Sequence, residues 1–157
     1  MIPRMDAPYK LFPEAIKAMT TLETAVKNSG LEHSLIHLVK LRASQINGCA
    51  YCIHMHATDA RAQGETEMRL YMLSAWRESP LYSDRERAAL AWTEALTLLA
   101  ATGAPDGDYE WLKSEFTETE QVKLTMLIGA INVWNRLQVG FRVLHPVDEA
   151  DKAHAAA

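Results

Sequence analysis

Between two apolar stretches the chain reads Gln45-Ile46-Asn47-Gly48-Cys49-Ala50-Tyr51-Cys52-Ile53-His54-Met55-His56. This segment holds the only two cysteines of the 157 residues, and they are three positions apart. Asn47-Gly48 closes the preceding apolar stretch, and a glycine after the last apolar turn is a helix stop signal. A new helical pattern begins at the cysteines and ends at Gly64. The sequence therefore predicts that both cysteines lie in the first turn of a helix.

Helical spacing brings three reactive side chains of this segment together. Residues three, four and seven apart share one face of a helix, so Cys49, Cys52 and His56 point into the same small volume. Two thiols and an imidazole form a redox site in which one thiolate attacks, the second resolves and the histidine moves protons. Free N–H groups and the positive end of the helix dipole favour a thiolate there.

Three other interpretations of the cysteines stay open at this point. They are consistent with small buried hydrophobic residues, which free cysteines often are. A structural disulfide is also possible, but it closes a very small loop and removes little entropy from the unfolded chain. A zinc site needs four ligands, and only histidines are available to complete one here.

Composition and charge limit the class of protein. The chain is 48% hydrophobic and 23% charged, as expected of one soluble globular domain. Its net charge is −4 and it has no Lys/Arg cluster, so we expect no nucleic-acid binding. No apolar run is long enough to cross a bilayer, and residues 1–6 lack the apolar core of a signal peptide. We therefore expect a cytoplasmic protein without membrane contact, where a lone CxxC pair is more often catalytic than structural.

The hydrophobic pattern is helical almost throughout and predicts an all-α fold, a compact single-domain bundle of about six to seven helices. The helices are predicted at about 13–27, 31–46, 49–63, 66–76, 88–99, 108–115 and 122–139. Ser83 with Glu86, and Thr117 with Glu120, have the spacing of capping boxes. The last helix is apolar around much of its circumference, which is typical of a central core helix or of one that also forms a subunit interface. Residues 148–157 are expected to form a loose tail.

The cysteine segment and its flank also resemble a known family. Together with Leu38-Val39-Lys40-Leu41-Arg42-Ala43-Ser44, residues 45–56 closely resemble the core motif of the alkyl hydroperoxidase D (AhpD) family, part of the carboxymuconolactone decarboxylase superfamily. The specific match covers roughly residues 36–64. The resemblance implies an AhpD-like helical domain over residues 1–147 and homo-oligomers, either trimers or hexamers. It also implies a peroxide substrate and a cysteine pair that is reduced by a thiol or lipoyl-type electron donor.

By that resemblance Cys52 is the peroxidatic cysteine, Cys49 the resolving cysteine and His56 a proton-relay residue. The chemistry agrees, because a thiolate that attacks the O–O bond becomes a sulfenic acid, which condenses with a second thiol to a disulfide. His56, one turn after Cys52, is placed to take the thiol proton. No nucleotide or flavin motif and no Gly-rich phosphate loop is present. We therefore expect no cofactor and no resident metal, and reducing power that comes from a partner protein or a small thiol.

One residue departs from the family pattern. Well-studied members carry a relay glutamate twelve residues before the first cysteine, and this chain has His37 there. In an antiparallel hairpin about Gly48, residue 37 lies opposite residue 59, within a turn of His56. We therefore expect His37 to replace the glutamate, although an imidazole supplies no fixed negative charge. The alternative is a packing or hydrogen-bonded histidine.

The leading prediction is therefore a thiol-dependent peroxidase. A non-catalytic redox sensor or stress-response protein is the alternative, because it would oxidise the same pair without turning over. A decarboxylase acting on a lactone acid is less favoured, since that branch of the superfamily does not use a cysteine pair.

Overall fold

The computed structural model describes residues 1–147, and the predicted tail at 148–157 lies outside the described residues. Eight α-helices follow one another: α1 (Pro13–Lys27), α2 (His33–Ile46), α3 (Ala50–Ala62), α4 (Glu67–Met72), α5 (Asp84–Thr97), α6 (Leu99–Thr102), α7 (Asp106–Glu115) and α8 (Glu118–Phe141). Short 3-10 helices span Pro8–Lys10 and Leu73–Ala75. Residues 1–147 contain no strand, which confirms the all-α prediction.

Local sequence signals set most of the helix ends. Both predicted capping boxes are formed, at Ser83 with Glu86 and at Thr117 with Glu120. The structure has eight helices rather than six or seven, because the backbone leaves helical geometry at Leu98 (φ −100°, ψ 29°) and separates the short α6 from α5. The apolar pattern runs on through this break without a Gly or Pro, so the sequence carries no signal for it.

The core lies where α2 packs against α3, α5 and α8. Its largest buried side chains come from α2, α5, α7 and α8, from the 3-10 helix after α4 and from the turn that follows: Leu38, Val39, Leu41, Leu73, Trp76, Leu90, Leu112, Leu124, Leu127, Ile128 and Ile131. Each such side chain contributes about 1.5–3 kcal/mol relative to an exposed one. Because α2 contacts three other helices, it fixes the position of α3 within the bundle.

The turn between α2 and α3 is a Schellman motif. Gly48 adopts the left-handed conformation with φ +64°. Its N–H donates to the Gln45 carbonyl (3.2 Å), and the Cys49 N–H donates to the Ser44 carbonyl (2.9 Å). Cys49 therefore ends the capping motif of α2 and is also the N-cap of α3.

Three asparagines attach this turn to α8. Asn47 Nδ2 donates to Asn132 Oδ1 (3.0 Å) and to Asn135 Oδ1 (2.8 Å). Asn135 Nδ2 in turn donates to Ser44 Oγ (3.1 Å). Asn135 and Ser44 are fully buried, so these polar groups are satisfied by one another. The network holds the start of α3 against α8.

The long helix α8 has one buried and one partly exposed face. One face carries Leu124, Leu127 and Ile131 into the core, while the side chains of Met126 and Val133 are 46% and 41% exposed. Across residues 1–147, none of the helices has the length and hydropathy needed to cross a membrane.

Candidate active site

Cys49 and Cys52 lie at the N-terminal end of α3, as predicted. Their sulfur atoms are at disulfide distance, and their Cα atoms are 5.4 Å apart. The Cys52 N–H donates to Cys49 Sγ (3.3 Å), so the sulfur caps the helix. Each cysteine is only 1% exposed. Reagents therefore reach the pair only through the cavities that the cysteines line.

Cys52 opens onto a cavity of about 530 Å³, here called the Cys52 cavity. Its wall combines aromatic and aliphatic side chains with a few polar groups, and comes from the 3-10 helix Pro8–Lys10 and from α1, α2, α3 and α8. It consists of Tyr9, Ile16, Thr20, Glu23, Lys40, Tyr51, Cys52, Met55, His56, Asp59, Ile131, Trp134 and Gln138. A largely apolar pocket of this size with a few polar groups is typical of sites for small organic molecules.

His56 lines the Cys52 cavity one helical turn after Cys52. It is 5% exposed, and its Nε2 has no hydrogen-bond partner among residues 1–147. Burial, and then the positive charges of Lys40 and His37, lower the pKa of His56 to about 3. The ring is therefore neutral near pH 7. Because its charged form is disfavoured, His56 is suited to passing a proton on rather than keeping it.

An ion pair between α1 and α2 contributes charge to the same cavity. Lys40 Nζ pairs with Glu23 Oε2, and Trp134 Nε1 donates to Glu23 Oε1 (3.1 Å). All three side chains line the Cys52 cavity, and the Lys40 side chain is 11% exposed. We did not identify Glu23 or Lys40 as site residues from the sequence. They are 17 positions apart on different helices, and only the packing of α1 and α8 around α2 brings them together.

Tyr9 is a further residue of the cavity that the sequence did not indicate as a site residue. Its hydroxyl is buried without a partner in the described part of the chain, and its ring contacts Trp134 edge-on with centroids 6.1 Å apart. Burial, and then the nearby Tyr51, raise the pKa of Tyr9 to about 12. Tyr9 therefore stays a neutral O–H donor beside the Cys52 cavity. Its position depends on how the segment before α1 packs, for which the sequence has no local signal.

His37 lies beside residue 59, as the hairpin predicted. His37, Lys40, His56 and Asp59 line a second cavity of about 330 Å³, here called the His37 cavity. His37 Nδ1 is buried without a partner within residues 1–147. Burial lowers the pKa of His37, and the neighbouring Gln63 side chain and the charge of Asp59 oppose that shift. His56 borders both cavities, so it connects the Cys52 cavity with the polar surroundings of His37.

The remaining histidines near the motif lie outside the cysteine pocket. His54 is exposed, and its ring stacks on His145 with centroids 5.1 Å apart. His33 lines the His37 cavity. Over residues 1–147, no three His, Cys, Asp or Glu side chains converge in a way that could hold a metal ion.

Sequence comparison assigns the chain to a family. The model of the carboxymuconolactone decarboxylase family matches residues 13–95, which include α1 to α4, most of α5 and both cysteines. The chain is also 42% identical over 131 residues to the uncharacterized protein YdfG of Bacillus subtilis (strain 168), covering 83% of this chain and 89% of that protein. The chain therefore belongs to the carboxymuconolactone decarboxylase family, and within it to the AhpD-like proteins.

Two further relatives agree with this assignment. The uncharacterized protein YnjA of Escherichia coli (strain K12) is 31% identical over 107 residues, which cover 68% of this chain and 58% of that protein. A crystal structure from Agrobacterium tumefaciens, of a protein of unknown function described as a candidate antioxidant defence protein AhpD, is 52% identical. It superposes with a TM-score of 0.90 over 94% of this chain and 100% of that one.

Proposed function

We propose that this protein is a thiol-dependent peroxidase that attacks its substrate with Cys52 and forms a Cys49–Cys52 disulfide. One observation carries the proposal: Cys52, and not Cys49, lines the large cavity that also contains the neutral His56. The AhpD-like family supports it, because a cysteine pair that reduces peroxides is the activity that this family implies. The partly apolar wall of the cavity favours an organic hydroperoxide over a small polar one.

The reaction begins at Cys52. His56 takes the thiol proton, and the thiolate attacks the outer oxygen of the hydroperoxide, which breaks the O–O bond. The alkoxide takes up a proton from solvent and leaves as an alcohol, and Cys52 becomes a sulfenic acid. The Cys49 thiol then attacks the Cys52 sulfur, and water leaves as the disulfide forms. Two thiol equivalents from a donor reduce the disulfide and complete the cycle.

Two features of the site favour the thiolate in the first step, against the negative charge that Glu23 and Asp59 bring to the same cavity. The Lys40 ammonium lies in the same cavity as Cys52, and Cys52 lies in the first turn of α3, at the positive end of the helix dipole. Both effects stabilise a negative sulfur relative to the neutral thiol. Glu23 pairs with Lys40 and accepts from Trp134, so it acts as a positioning residue for the ammonium.

The proton leaves the thiol by way of the His37 cavity. His56 borders this cavity and His37 lies on its wall, but no hydrogen bond joins the two rings within residues 1–147. A water molecule between them would complete the path. In this proposal His37 is the proton carrier that replaces the family's glutamate.

The proposal is tested by peroxide consumption with cumene hydroperoxide and dihydrolipoamide. We expect Cys52→Ser to abolish consumption above the rate of the two reagents alone, because it removes the attacking thiolate. With the dithiol left out, Cys49→Ser should consume one equivalent of peroxide and stop, with a sulfenic acid on Cys52 that dimedone labels and mass spectrometry locates. The exposed His54→Ala serves as the control and should turn over like the wild type.

Two results would contradict the proposal in different ways. Unchanged turnover in Cys52→Ser would show that Cys52 is not the attacking residue. A wild type that is oxidised once by peroxide but does not turn over with the dithiol would instead indicate a redox sensor.

A further inference from the structure

A separate cavity reaches the cysteine pair at Cys49. It has a volume of about 270 Å³, lies between the start of α3 and the end of α8, and is here called the Cys49 cavity. Cys49 lines this cavity and Cys52 does not. Cys52 lines the Cys52 cavity and Cys49 does not. Each cysteine therefore has its own route to solvent.

The Cys49 cavity is positively charged. Arg4 and Arg142 both line it, and none of its lining residues is an Asp or a Glu. Neither arginine is in an ion pair with any other residue of the 147 that the structure describes. Arg4 is held in place, because its N–H donates to the Phe141 carbonyl (3.0 Å) and its Nη1 to the Gly140 carbonyl (3.0 Å).

Arg142 occupies an unusual backbone position for a charged residue. It caps the C-terminus of α8 in the left-handed conformation with φ +54°. Glycine or asparagine usually fills this position, because other side chains are disfavoured there. Helix capping therefore does not explain the arginine, whose side chain brings a second positive charge to the cavity.

We propose that the Cys49 cavity admits the reducing substrate, a low-molecular-weight thiol that carries carboxylate groups, and that this thiol attacks Cys49. The inference rests on the proposed thiol–disulfide chemistry of the pair. Guanidinium groups bind carboxylates through paired hydrogen bonds, so two arginines suit a small anionic thiol. The volume of the cavity is close to the lower end of the range for small-molecule sites.

Reduction of the Cys49–Cys52 disulfide by thiol exchange consumes two donor thiols. A donor thiolate attacks Cys49 Sγ, the bond to Cys52 breaks, and Cys52 leaves as a thiolate into the cavity that contains Lys40 and His56. A second donor thiolate then attacks the donor sulfur of the mixed disulfide. The donor disulfide leaves, and Cys49 is released as a thiolate. Two donor thiols are oxidised, and the protein disulfide is reduced by two electrons.

The test uses the oxidised protein and no peroxide, so it is independent of the peroxidase assay. The rate of disulfide reduction is measured with glutathione and with glutathione diethyl ester, which has the same thiol but no carboxylate. We expect Arg4→Gln/Arg142→Gln to lower the ratio of the two rates roughly tenfold, the effect of losing two ion pairs. Glutathione and its diethyl ester also differ in intrinsic reactivity. This difference cancels when the ratio of their reduction rates is compared between the wild type and the variants.

A matched control removes two positive charges elsewhere. Arg61 on α3 and Lys113 on α7 are exposed, and neither lines the Cys49 cavity. Arg61→Gln/Lys113→Gln should keep the rate ratio of the wild type. A second measurement uses the wild type alone and varies the salt concentration. About 1 M salt shortens the Debye length to about 3 Å, so it should slow disulfide reduction by glutathione but not by the ester.

Several outcomes would overturn the inference. One is a double arginine variant with the ratio of the wild type, and another is a glutathione rate that does not respond to salt. A disulfide that dihydrolipoamide reduces and glutathione does not would also contradict it, since a neutral dithiol would then be the donor. In each case the peroxidase proposal would be unaffected, because the peroxide-consumption assay tests it separately.

Discussion

Burial and two cationic neighbours determine the protonation of His56. The ring lies almost entirely out of solvent, and Lys40 and His37 oppose a further positive charge, so the pKa of His56 falls to about 3. In the unfolded chain the same ring titrates near 6.5. Because the pKa of His56 differs between the folded and the unfolded protein, the free energy of unfolding depends on pH. Measuring that dependence checks the electrostatics of the site directly.

We predict that His56 makes the protein less stable in acid. Between pH 6.5 and pH 3 the unfolded chain binds a proton at residue 56 that the folded chain does not. The free energy of unfolding should therefore fall by about 1.4 kcal/mol per pH unit below pH 6.5 from this residue alone. Urea unfolding at pH 7, 6 and 5 measures this slope in the wild type and in His56→Asn, which lacks the titrating group.

The comparison isolates His56 from the other acid-sensitive groups. Glu120, whose pKa is lowered to about 2, loses its contribution in both proteins and cancels in the difference. The exposed His54→Asn should keep the slope of the wild type. Parallel slopes in the wild type and His56→Asn would show that folding does not lower the pKa of His56.

The sequence predicted one part of the site and not the other, for a physical reason. Cys49, Cys52 and His56 lie within eight residues, where helical spacing alone determines which side chains share a face. Glu23 and Lys40 come from different helices, and their contact depends on how those helices pack. A single sequence carries no signal for such contacts.

Among the elements, the α2–α3 turn depends most on one residue. We predict that Gly48→Ala lowers the free energy of unfolding by about 1–2 kcal/mol, because alanine disfavours the left-handed backbone at φ +64°. An added Cβ meets no atom within 4 Å, so the cost is conformational and not steric. Denaturant unfolding with all proteins in the same redox state measures the change.

A glycine inside a helix gives the matched control. Gly107 lies in α7 with open space around its Cα and no positive φ. Gly107→Ala should therefore stabilise the protein, by about 0.5–1 kcal/mol at most. An equal effect of the two substitutions would contradict the assignment of a Schellman motif to the α2–α3 turn.

The sequence predicted the helix bounds correctly where it carries strong signals for a helix start or stop. Pro13, the two capping boxes and Gly48 fixed helix starts or stops that the structure reproduces. The break at Leu98 was missed because leucine and alanine favour a continuous helix on both sides of it. At the break, Thr102 Oγ1 donates to the Ala95 carbonyl (2.7 Å), a local hydrogen bond for which the apolar pattern carries no signal.

For the whole molecule, the outer face of α8 is the feature that a monomer does not explain. Val122, Met126 and Val133 follow one another at helical spacing and are 64%, 46% and 41% exposed. An apolar stripe along a long helix is typical of a subunit interface. It agrees with the homo-oligomer, trimer or hexamer, that the family resemblance implies.

We predict that the protein sediments as an oligomer, above the 17.6 kDa of one chain. Met126→Lys should shift it toward that mass, because it buries an unpaired charge in the proposed interface. Met68→Lys is the control, since Met68 is also exposed (59%) but lies on α4. A wild type at 17.6 kDa, or an oligomer that Met126→Lys leaves intact, would refute the assignment of the interface to α8.

The cap of α3 has an electrochemical consequence. Cys49 Sγ accepts the Cys52 N–H, so the atom that ends the helix is also one of the two atoms that gain or lose electrons. A thiolate is a stronger acceptor than a disulfide sulfur, so reduction strengthens the cap. By linkage, the same interaction raises the reduction potential of the pair, and about 1 kcal/mol of added capping energy corresponds to about 20 mV. The helix start thus makes the cysteine pair a better oxidant toward thiols.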